Sequence, residues 1–485
     1  MSKIIILDNK YCHFITEDKY AANLLRNHLS FKLAGVEYTQ AYQNGWNGIT
    51  YLMGKNNKFS YGLLHKAEAF LKSHQMSYTV EDQRLPKALI PELNIEENLK
   101  KCNLVPREHQ IRIKNAACAT DRGIIRAATG AGKSLCTALI TANINKPTIL
   151  YVIGLDLLDQ FYNLYTKIFN EPIGYIGDGI CRIERINIAT IWTIGRALKM
   201  SDKDILDEDR MDEKEVDEGS KAKIIKLLQN TKVHIFDESH IIVTNTIAEI
   251  YKNINPEHMY GLSGTPFRDD NSDLLVHSFL GEQIINVSAS EMIEKGVLAP
   301  PLIRFYTVPK KTINPVYMSA YKEYIVENEV RNTIIVDKTQ ELVDKKYKTL
   351  VLFKQVKHGN ILFEKIKERG IRCDMLYGND SLEKRNEIKE KLVKGEIDVI
   401  IASVIFDIGI DLPALSGLVL ASGGASLTRT LQRIGRSIRS YPGKKNAVII
   451  EFYDQVKFFK KHSLARYKVY CSEPGFKIFK SKEML

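Results

Sequence analysis

Residues 129–134 (TGAGKS) combine a glycine-rich turn with a lysine and a hydroxyl side chain. The turn follows the apolar stretch GIIRAA and precedes the helical pattern SLCTALITANI, which is the strand, loop and helix context of a phosphate-binding loop. Backbone N–H groups and the helix N-terminus can then face phosphate oxygens. We expect Lys133 to neutralise the β and γ phosphates of a nucleotide and Ser134 to ligate Mg²⁺. The loop backbone would come from Thr129, Gly130, Ala131 and Gly132.

Residues 233–240 (VHIFDESH) are an apolar strand pattern that ends in two acids, Asp237 and Glu238. A strand-terminal Asp can hold Mg²⁺ through water, and an adjacent Glu can orient or deprotonate an attacking water. Most acidic pairs are simply solvated, but this one ends a buried strand pattern in the same predicted lobe as the phosphate loop. We therefore predict one nucleotide site in which Lys133, Asp237 and Glu238 are catalytic and Ser134 and Asp237 hold the metal.

Residues 432–439 (QRIGRSIR) are a basic helical pattern near the end of the chain. Gln432, Arg436 and Arg439 fall at positions i, i+4 and i+7, so they share one helix face. Guanidinium groups that arrive from a second lobe can stabilise charge on a transferring phosphoryl group. A solvated basic helix would show the same spacing, and the catalytic interpretation depends on the two motifs described above.

Strand and helix patterns alternate twice along the chain, which is typical of two α/β lobes with parallel sheets covered by helices. A small α+β domain, with short aromatic and glycine-rich segments, is predicted before them. We expect a small N-terminal domain at 1–100, lobe 1 at 101–298, lobe 2 at 299–453 and a basic and aromatic extension at 454–485. A long helix is predicted near 317–343, and the acidic run near 201–218 is an insertion in lobe 1.

The motifs resemble those of the superfamily 2 helicases and translocases over roughly residues 104–452. The stretches that carry the resemblance are, in order, ATGAGKS, DESH, SGT at 263–265, ASVIFDIGIDLP at 402–413 and QRIGRSIR. In that superfamily the phosphate loop often begins with Ala in place of the first Gly, so Ala127 fits. The resemblance implies two tandem RecA-like lobes that bind ATP and Mg²⁺ and hydrolyse ATP.

The same resemblance implies further roles at matching positions. Gln110 would read adenine, with Arg107 beside it. Residues that would couple the ATP state to lobe movement are His240, Ser263 and Thr265. Gly409 and Asp411 would approach the nucleotide from lobe 2. Gln160 and Thr190 match weaker motifs that usually lie along the nucleic-acid strand, although plain core or surface roles stay open for both.

The N-terminal stretch 28–64 is similar to the N-terminal domain of the phage UvsW-type helicases, through its central WNG and its terminal GLL. This similarity extends the resemblance over almost the whole chain. It implies an ATP-driven DNA motor that unwinds branched DNA and migrates junctions. Taken without the family, Trp46 in that centre is better explained by packing than by base stacking.

The composition restricts the class of protein. The chain has 485 residues, a net charge of +11 and seven scattered cysteines without a C-x-x-C pair, which favours a reducing, cytoplasmic compartment. No apolar run is long enough for a membrane helix. Because residues 201–218 hold ten acids and three basic residues, the rest of the chain is strongly basic, as a partner of nucleic acid can be. The sequence carries no signal for an oligomeric state.

The sequence therefore predicts an ATP-dependent DNA helicase that acts on forks, Holliday junctions, D-loops or R-loops with little sequence preference. An RNA helicase or R-loop remover is the nearest alternative, because the same motor core serves both nucleic acids. A motor subunit of a restriction-type complex is another alternative. A non-enzymatic DNA-binding protein is disfavoured, because Lys133, Asp237, Glu238, Arg436 and Arg439 are all present.

Overall fold

The computed structural model describes residues 2–32, 40–88, 90–198, 217–239, 244–264, 273–312, 316–378, 380–403, 412, 414–423 and 441–484. The chain divides into two compact units. The first unit comprises residues 1–127 and 132–286, and the second comprises residues 128–131 and 287–485. None of the described helices is long and apolar enough to cross a membrane.

The N-terminal part of the first unit is a small α+β layer. Its strands are β1 (Ser2–Ile6), β2 (Tyr11–Ile15), β3 (Ser30–Lys32), β4 (Ile49–Tyr51), β5 (Lys58–Ser60) and β6 (Tyr78–Asp82), and its helices are α1 (Lys19–His28), α2 (Gln40–Gln43) and α3 (Leu64–Ser73), with a 3-10 turn at Tyr61–Leu63. Four strands form a sheet in the order β5-β2-β1-β6, in which β1 pairs antiparallel with β2 and parallel with β6. Alternate residues such as Ile4, Cys12 and Phe14 face its core, as the two-residue period of a strand requires.

The rest of the first unit is built on an eight-stranded sheet in the order β10-β9-β11-β8-β12-β13-β7-β14. Neighbours from β9 to β7 are parallel, and β10 is antiparallel to β9. The elements are α4 (Glu96–Lys101), α5 (Glu108–Cys118), β7 (Arg122–Ala127), α6 (Lys133–Ile144), β8 (Thr148–Val152), α7 (Leu155–Ile168), β9 (Ile173–Gly177), β10 (Ile180–Arg182), β11 (Ile186–Thr190), α8 (Ile191–Ala197), α9 (Glu218–Asn230), β12 (Val233–Asp237), α10 (Thr244–Asn253), β13 (His258–Ser263), α11 (Asp273–Leu280) and β14 (Gln283–Val287).

The second unit is built on a seven-stranded sheet in the order β17-β18-β16-β19-β20-β15-β21, and its strand pairs are parallel. The elements are α12 (Ala289–Glu294), β15 (Pro301–Val308), α13 (Tyr317–Tyr321), a π-helical turn (Lys322–Val326), α14 (Glu329–Asp344), β16 (Thr349–Phe353), α15 (Val356–Glu368), β17 (Cys373–Leu376), α16 (Leu382–Lys394), β18 (Val399–Ser403), β19 (Gly417–Leu420), β20 (Ala447–Asp454), α17 (Lys457–Cys471), β21 (Lys477–Phe479) and a 3-10 turn (Lys482–Met484).

The two large sheets, whose strands are mostly parallel, and the small N-terminal layer confirm the predicted α/β class. One predicted element is wrong, because the single helix expected near 317–343 is divided into α13, the π-helical turn and α14. The division has a local cause. The side chain of Asn328 accepts a hydrogen bond from the N–H of Arg331 at 3.4 Å and so starts a new helix as its N-cap.

The N-terminal layer is fastened to the first large sheet through Arg122, the first residue of β7. Its Nη1 donates to the carbonyl of Phe279 at 3.0 Å, and its Nη2 donates to the carbonyl of Asn9. The guanidinium also lies 4.6 Å from the ring centre of Tyr61. Gly62 packs against α11 so closely that a β-carbon would overlap the carbonyl of His277. Arg122 therefore connects backbone carbonyls of both parts.

Candidate nucleotide-binding site

The turn between β7 and α6 has the geometry of a phosphate loop. Gly130 and Gly132 have φ angles of +92° and +79°, which glycine adopts without steric cost. Gly132 is the N-cap of α6, and the N–H of Ala131 donates to the carbonyl of Ala128 at 3.0 Å. The N-terminus of a twelve-residue helix therefore follows the turn directly, and such a terminus attracts phosphate oxygens. Ala127, the departure from the strict pattern, is the fully buried last residue of β7.

The structure brings Gln110 to this turn. Its Oε1 accepts a hydrogen bond from the N–H of Arg107 at 2.9 Å, so the side chain is fixed across the first turn of α5. A β-carbon on Gly132 would overlap Gln110 Nε2, so the amide group lies directly against the phosphate loop. His109 is buried beside Gln110. Arg107 is exposed and contributes its backbone as the N-cap of α5.

The acidic pair lies at the carboxyl end of β12, which is separated from β7 in the sheet by β13. Asp237 pairs with Leu262, and Ser263 pairs with Arg126. Because the three strands are parallel, their carboxyl ends meet at one edge, where ligands bind in open α/β sheets. Asp237 and Ser263 are both buried at that edge. The sheet topology therefore brings the two motifs together as the sequence predicted.

Lys133 and Glu238 form a salt bridge across this edge. Lys133 Nζ lies 2.6 Å from Glu238 Oε1, and the two side chains are 12% and 19% exposed. Glu238 has a φ of +48°, a left-handed conformation that is unfavourable for a non-glycine residue and that typically costs about 1–3 kcal/mol. Such conformations persist where the surrounding structure enforces them, and they occur at functional sites. Glu238 is therefore held in a strained conformation with its carboxylate on the phosphate-loop lysine.

The side chains at this edge of the sheet are suited to Mg²⁺, and less to a metal ion whose ligands all come from the protein. In the described part of the chain no group of three or more His, Cys, Asp or Glu side chains could hold a metal ion. Mg²⁺ needs no such cage, because it keeps several waters and takes one or two protein oxygens together with substrate phosphates. The hydroxyl of Ser134 and the carboxylate of Asp237 are oxygen donors of that kind.

Two residues close to the acidic pair in the chain, His234 and Ser239, were not predicted as site residues from the sequence. The N–H of Ser239 donates to the carbonyl of Leu262 at 3.1 Å, which ties the end of β12 to β13. His234 lies on β12, where its Nδ1 is 2.9 Å from the hydroxyl of Tyr151. Burial lowers the pKa of His234 to about 3, so the imidazole is neutral at physiological pH. The sequence did contain a signal for Ser239, because this residue is part of the DESH motif.

The two residues predicted to contact nucleic acid have different surroundings. Gln160 is exposed on α7. Thr190 is fully buried, where it caps α8. Its Oγ1 accepts from the N–H of Thr193 at 3.3 Å and donates to Thr193 Oγ1 at 2.9 Å. Thr190 therefore has a structural role as a cap, and its contact with nucleic acid stays a prediction.

Seven of the predicted site residues lie outside the described part of the chain. They are His240, Thr265, Gly409, Asp411, Gln432, Arg436 and Arg439.

Two family descriptions match separate parts of the chain. The family described as type III restriction enzyme, res subunit, matches residues 103–268, and the helicase conserved C-terminal domain matches residues 327–441. The first match contains the phosphate loop and the acidic pair. The second contains all the described elements from α14 to β19, together with Gln432, Arg436 and Arg439.

Individual proteins are also similar. The ATP-dependent DNA helicase uvsW of Enterobacteria phage T4 is 23% identical over 93% of each chain. A provisionally named helicase 22 of Sulfolobus islandicus filamentous virus (isolate Iceland/Hveragerdi) is 27% identical over 71% of this chain, which spans only 62% of that protein. Among solved structures, S. cerevisiae Dbp5 bound to RNA and ADP BeF3 is 14% identical with a TM-score of 0.53, over 79% of this chain and 92% of that chain. This last likeness concerns the fold alone.

Proposed function

We propose that this chain, which belongs to the superfamily 2 helicases and so to the ATP hydrolases, is a DNA helicase that unwinds or migrates branched DNA in recombination, repair and replication restart. The proposed ATP hydrolysis rests on one observation, which is that Lys133, Gln110 and Glu238 lie around the turn between β7 and α6. The DNA substrate is supported by the match to the ATP-dependent DNA helicase of phage T4, which covers 93% of both chains, and its branched form is what the resemblance of residues 28–64 implies.

The described side chains would act on ATP in distinct ways. Lys133 would bind the β and γ phosphates, in exchange for the Glu238 carboxylate that it contacts here. Glu238, released from the lysine, would orient the attacking water and take its proton. When bound, Mg²⁺ neutralises charge on the phosphates, and Ser134 and Asp237 are the residues that would hold it. Gln110, fixed against the loop, would position the base.

The remaining catalytic groups are proposed from the second half of the chain. Arg436 and Arg439 would stabilise charge on the transferring phosphoryl group, with Gln432 beside them. Gly409 and Asp411 would contact the nucleotide, while His240, Ser263 and Thr265 would transmit its state. Because phosphate contacts dominate binding that has no sequence preference, DNA affinity should fall steeply with salt.

A restriction-type motor subunit is a second candidate, favoured by the family description that matches residues 103–268. Such a subunit would be the motor of a complex, and a partner would have to supply any nuclease or methyltransferase activity. Hydrolysis stimulated by plain duplex as strongly as by branched DNA, without strand displacement, would support this candidate over ours.

The test compares ATP hydrolysis and strand displacement on a fork, a Holliday junction, a D-loop, an R-loop, plain duplex DNA, duplex RNA and an RNA–DNA hybrid. We expect branched DNA to stimulate hydrolysis most. Lys133→Ala should abolish the stimulated rate, whereas Lys252→Ala, which removes an exposed lysine paired with Glu249, should not. Stimulation by RNA alone would contradict the proposed DNA substrate. Full activity of Lys133→Ala would contradict the assignment of the nucleotide site.

A further inference from the structure

Helix α17 of the second unit has a buried face and an exposed face of different character. The buried face consists of Phe459, Ser463, Arg466 and Tyr470. The charge of Arg466 is compensated inside the unit, because its Nη2 lies 2.9 Å from Oε2 of the fully buried Glu451. The positive charge that α17 presents to solvent therefore comes from its exposed lysines.

The exposed face of α17 carries four lysines, Lys457, Lys460, Lys461 and Lys468. At 3.6 residues per turn they lie within about 100° around the helix axis and extend over about 16 Å along it. These four side chains form the lysine face of the helix. No residue of α17 is acidic, and no carboxylate in the described part of the chain pairs with the lysine face.

The aromatic residues that alternate with these lysines pack inside the unit. Phe459 and Tyr470 are fully buried. The ring of Phe459 stacks on that of Tyr324, with the ring centres 5.9 Å apart, and Phe458 contacts Tyr317 edge to face at 5.5 Å. Because a ring must be accessible to stack on a nucleic-acid base, the fully buried rings of this helix offer no base stacking. The lysine face can still contact phosphates.

Helix α16 of the same unit shows a compensated arrangement of lysines. Three of its lysines lie 2.8 to 3.0 Å from carboxylates one turn earlier in the chain. The pairs are Lys384–Asp380, Lys391–Glu387 and Lys394–Glu390. Pairs at this spacing stabilise a helix. The lysine face of α17 has no such compensation among the described residues.

The start of α17 also lacks negative charge. Its N-cap, Val456, makes no side-chain hydrogen bond, and its first turn contains no acidic residue. Lys457 and Lys460 lie instead at the positive end of the helix dipole, which disfavours cations. Lys457 and Lys461 are also like charges at positions i and i+4, which destabilises a helix. A bound polyanion would remove both unfavourable effects.

The exposed composition of this face distinguishes between two kinds of polyanion. Stable protein interfaces have an apolar centre, whereas the exposed residues of α17 are the four lysines and Cys471 at its end. Duplex DNA carries one charge per about 1.7 Å of its axis, so it presents phosphates along the whole lysine face. Contacts to phosphates position a protein without reading the base sequence. The face therefore fits a nucleic-acid backbone better than an acidic protein.

We propose that the lysine face of α17 binds the phosphate backbone of duplex DNA. Lys480 extends this face, because its Nζ lies 4.9 Å from the ring centre of Tyr467 on α17. The contact is independent of base sequence and is confined to the second unit. The inference rests on the proposed function, which identifies the polyanion as DNA.

Two triple variants test the inference, and each removes three positive charges from one helix of the second unit. They are Lys457→Gln, Lys461→Gln and Lys468→Gln in α17, and Lys384→Gln, Lys391→Gln and Lys394→Gln in α16. The measurement is the dissociation constant of a duplex of about 20 base pairs, without ATP, at several salt concentrations between about 50 and 200 mM.

We expect the α17 variant to bind the duplex at least about tenfold more weakly than the wild type at the lowest salt. The slope of its logarithmic affinity against logarithmic salt concentration should be shallower by about 2 to 3, because each lost phosphate contact removes about 0.9. The α16 variant should keep its affinity within about threefold and its slope within about 1 of the wild-type values.

An unchanged slope in the α17 variant would overturn the inference, and so would an equal loss in both variants, which would indicate a general effect of net charge. A loss confined to single-stranded DNA would overturn the duplex partner. In urea the α17 variant should be at least as stable as the wild type, and a lower stability would contradict the repulsion within the lysine face. A wild-type protein that binds duplex DNA without hydrolysing ATP would contradict the proposed function instead, while the slopes would still decide the inference.

Discussion

Gln110 lies so close to Gly132 that a β-carbon on the glycine would overlap its amide nitrogen Nε2, at less than 3.0 Å. The glycine is also the N-cap of α6, with a φ of +79°. Two independent constraints, one from backbone conformation and one from contact, therefore require glycine at this position. Both act at the point where the helix N-terminus would meet phosphate oxygens.

Gly132→Ala should weaken ATP binding by at least about tenfold, because the β-carbon must displace Gln110 or distort the loop, and a shift of about 1.4 kcal/mol already corresponds to tenfold. The measurement is the dissociation constant of a labelled ATP analogue. Gly370→Ala is the control, since Gly370 has a similar φ of +74° with open space around it. That variant should lose some stability and no ATP affinity.

The same contact allows a double substitution. Gln110→Ala removes the obstructing amide, so Gly132→Ala should cost less affinity in that background than in the wild type. The difference would measure the coupling between the two residues. Equal costs in both backgrounds would show that backbone strain alone explains the effect of the alanine.

Glu238→Gln should lower the rate of ATP hydrolysis by about 10²–10³-fold, which is the scale of a lost general base together with its orientation of water. ATP affinity should stay the same or rise, because Lys133 loses the carboxylate that it contacts at 2.6 Å. Glu249→Gln, which alters an exposed pair with Lys252, should leave both quantities unchanged. Single-turnover hydrolysis and a binding titration separate the two effects, and a parallel loss of affinity would contradict the exchange of partners at Lys133.

Local patterns indicated which residues meet at the proposed site wherever residue chemistry and strand order agreed. Residues 129–134 and 233–238 indicated a turn after one strand and acids after another, and parallel pairing then brings both to one edge. Thr190 shows the limit of this reasoning. It matched a motif that usually lies along nucleic acid, yet a threonine between a strand and a helix can also cap the helix. Its hydrogen bond to Thr193 could be predicted only if the end of β11 and the start of α8 were both known.

Contacts between distant segments could not be read from the sequence. The position of Gln110 against Gly132 depends on how α5 packs beside α6, which no local pattern determines. The interruption of the helix near 322–326 was also not predicted, although Asn328, which caps α14, is a local signal for it. Tertiary packing therefore determines the contact of Gln110, whereas the helix break has a local cause.

Arg122→Met should destabilise the first unit by about 2–4 kcal/mol, because the buried guanidinium loses its hydrogen bonds to the carbonyls of Phe279 and Asn9. Arg182→Met is the control, since Arg182 is exposed although it also contacts an aromatic ring. Urea unfolding measures the cost. Proteolysis should release the N-terminal layer faster from Arg122→Met, and an unchanged cleavage rate would contradict its role as the fastening residue.

Acid should also weaken the contact of the N-terminal layer with the large sheet of the first unit. In this contact the ring of His65, on α3, lies 5.8 Å from the ring of His277, on α11. Burial, and then the nearby His277 and Lys66, lower the pKa of His65 to about 4, against a partial opposing effect of the carbonyl of Gly62. The folded state therefore binds fewer protons than the unfolded state between about pH 6.5 and pH 4. The stability linked to His65 is complete above pH 6.5 and is lost as the pH falls toward 4.

His277→Gln should raise the pKa of His65, because it removes a positive charge that can form across this contact. The loss of stability between pH 6.5 and pH 4 should then be smaller than in the wild type, even where the lost contact of His277 Nδ1 with the carbonyl of Gly281 lowers the stability at pH 8. Solvent screening at this partly exposed histidine keeps the expected difference below about 2 kcal/mol. Urea unfolding at several pH values measures it, and parallel profiles for the two proteins would rule out the histidine pair as the cause of the acid sensitivity.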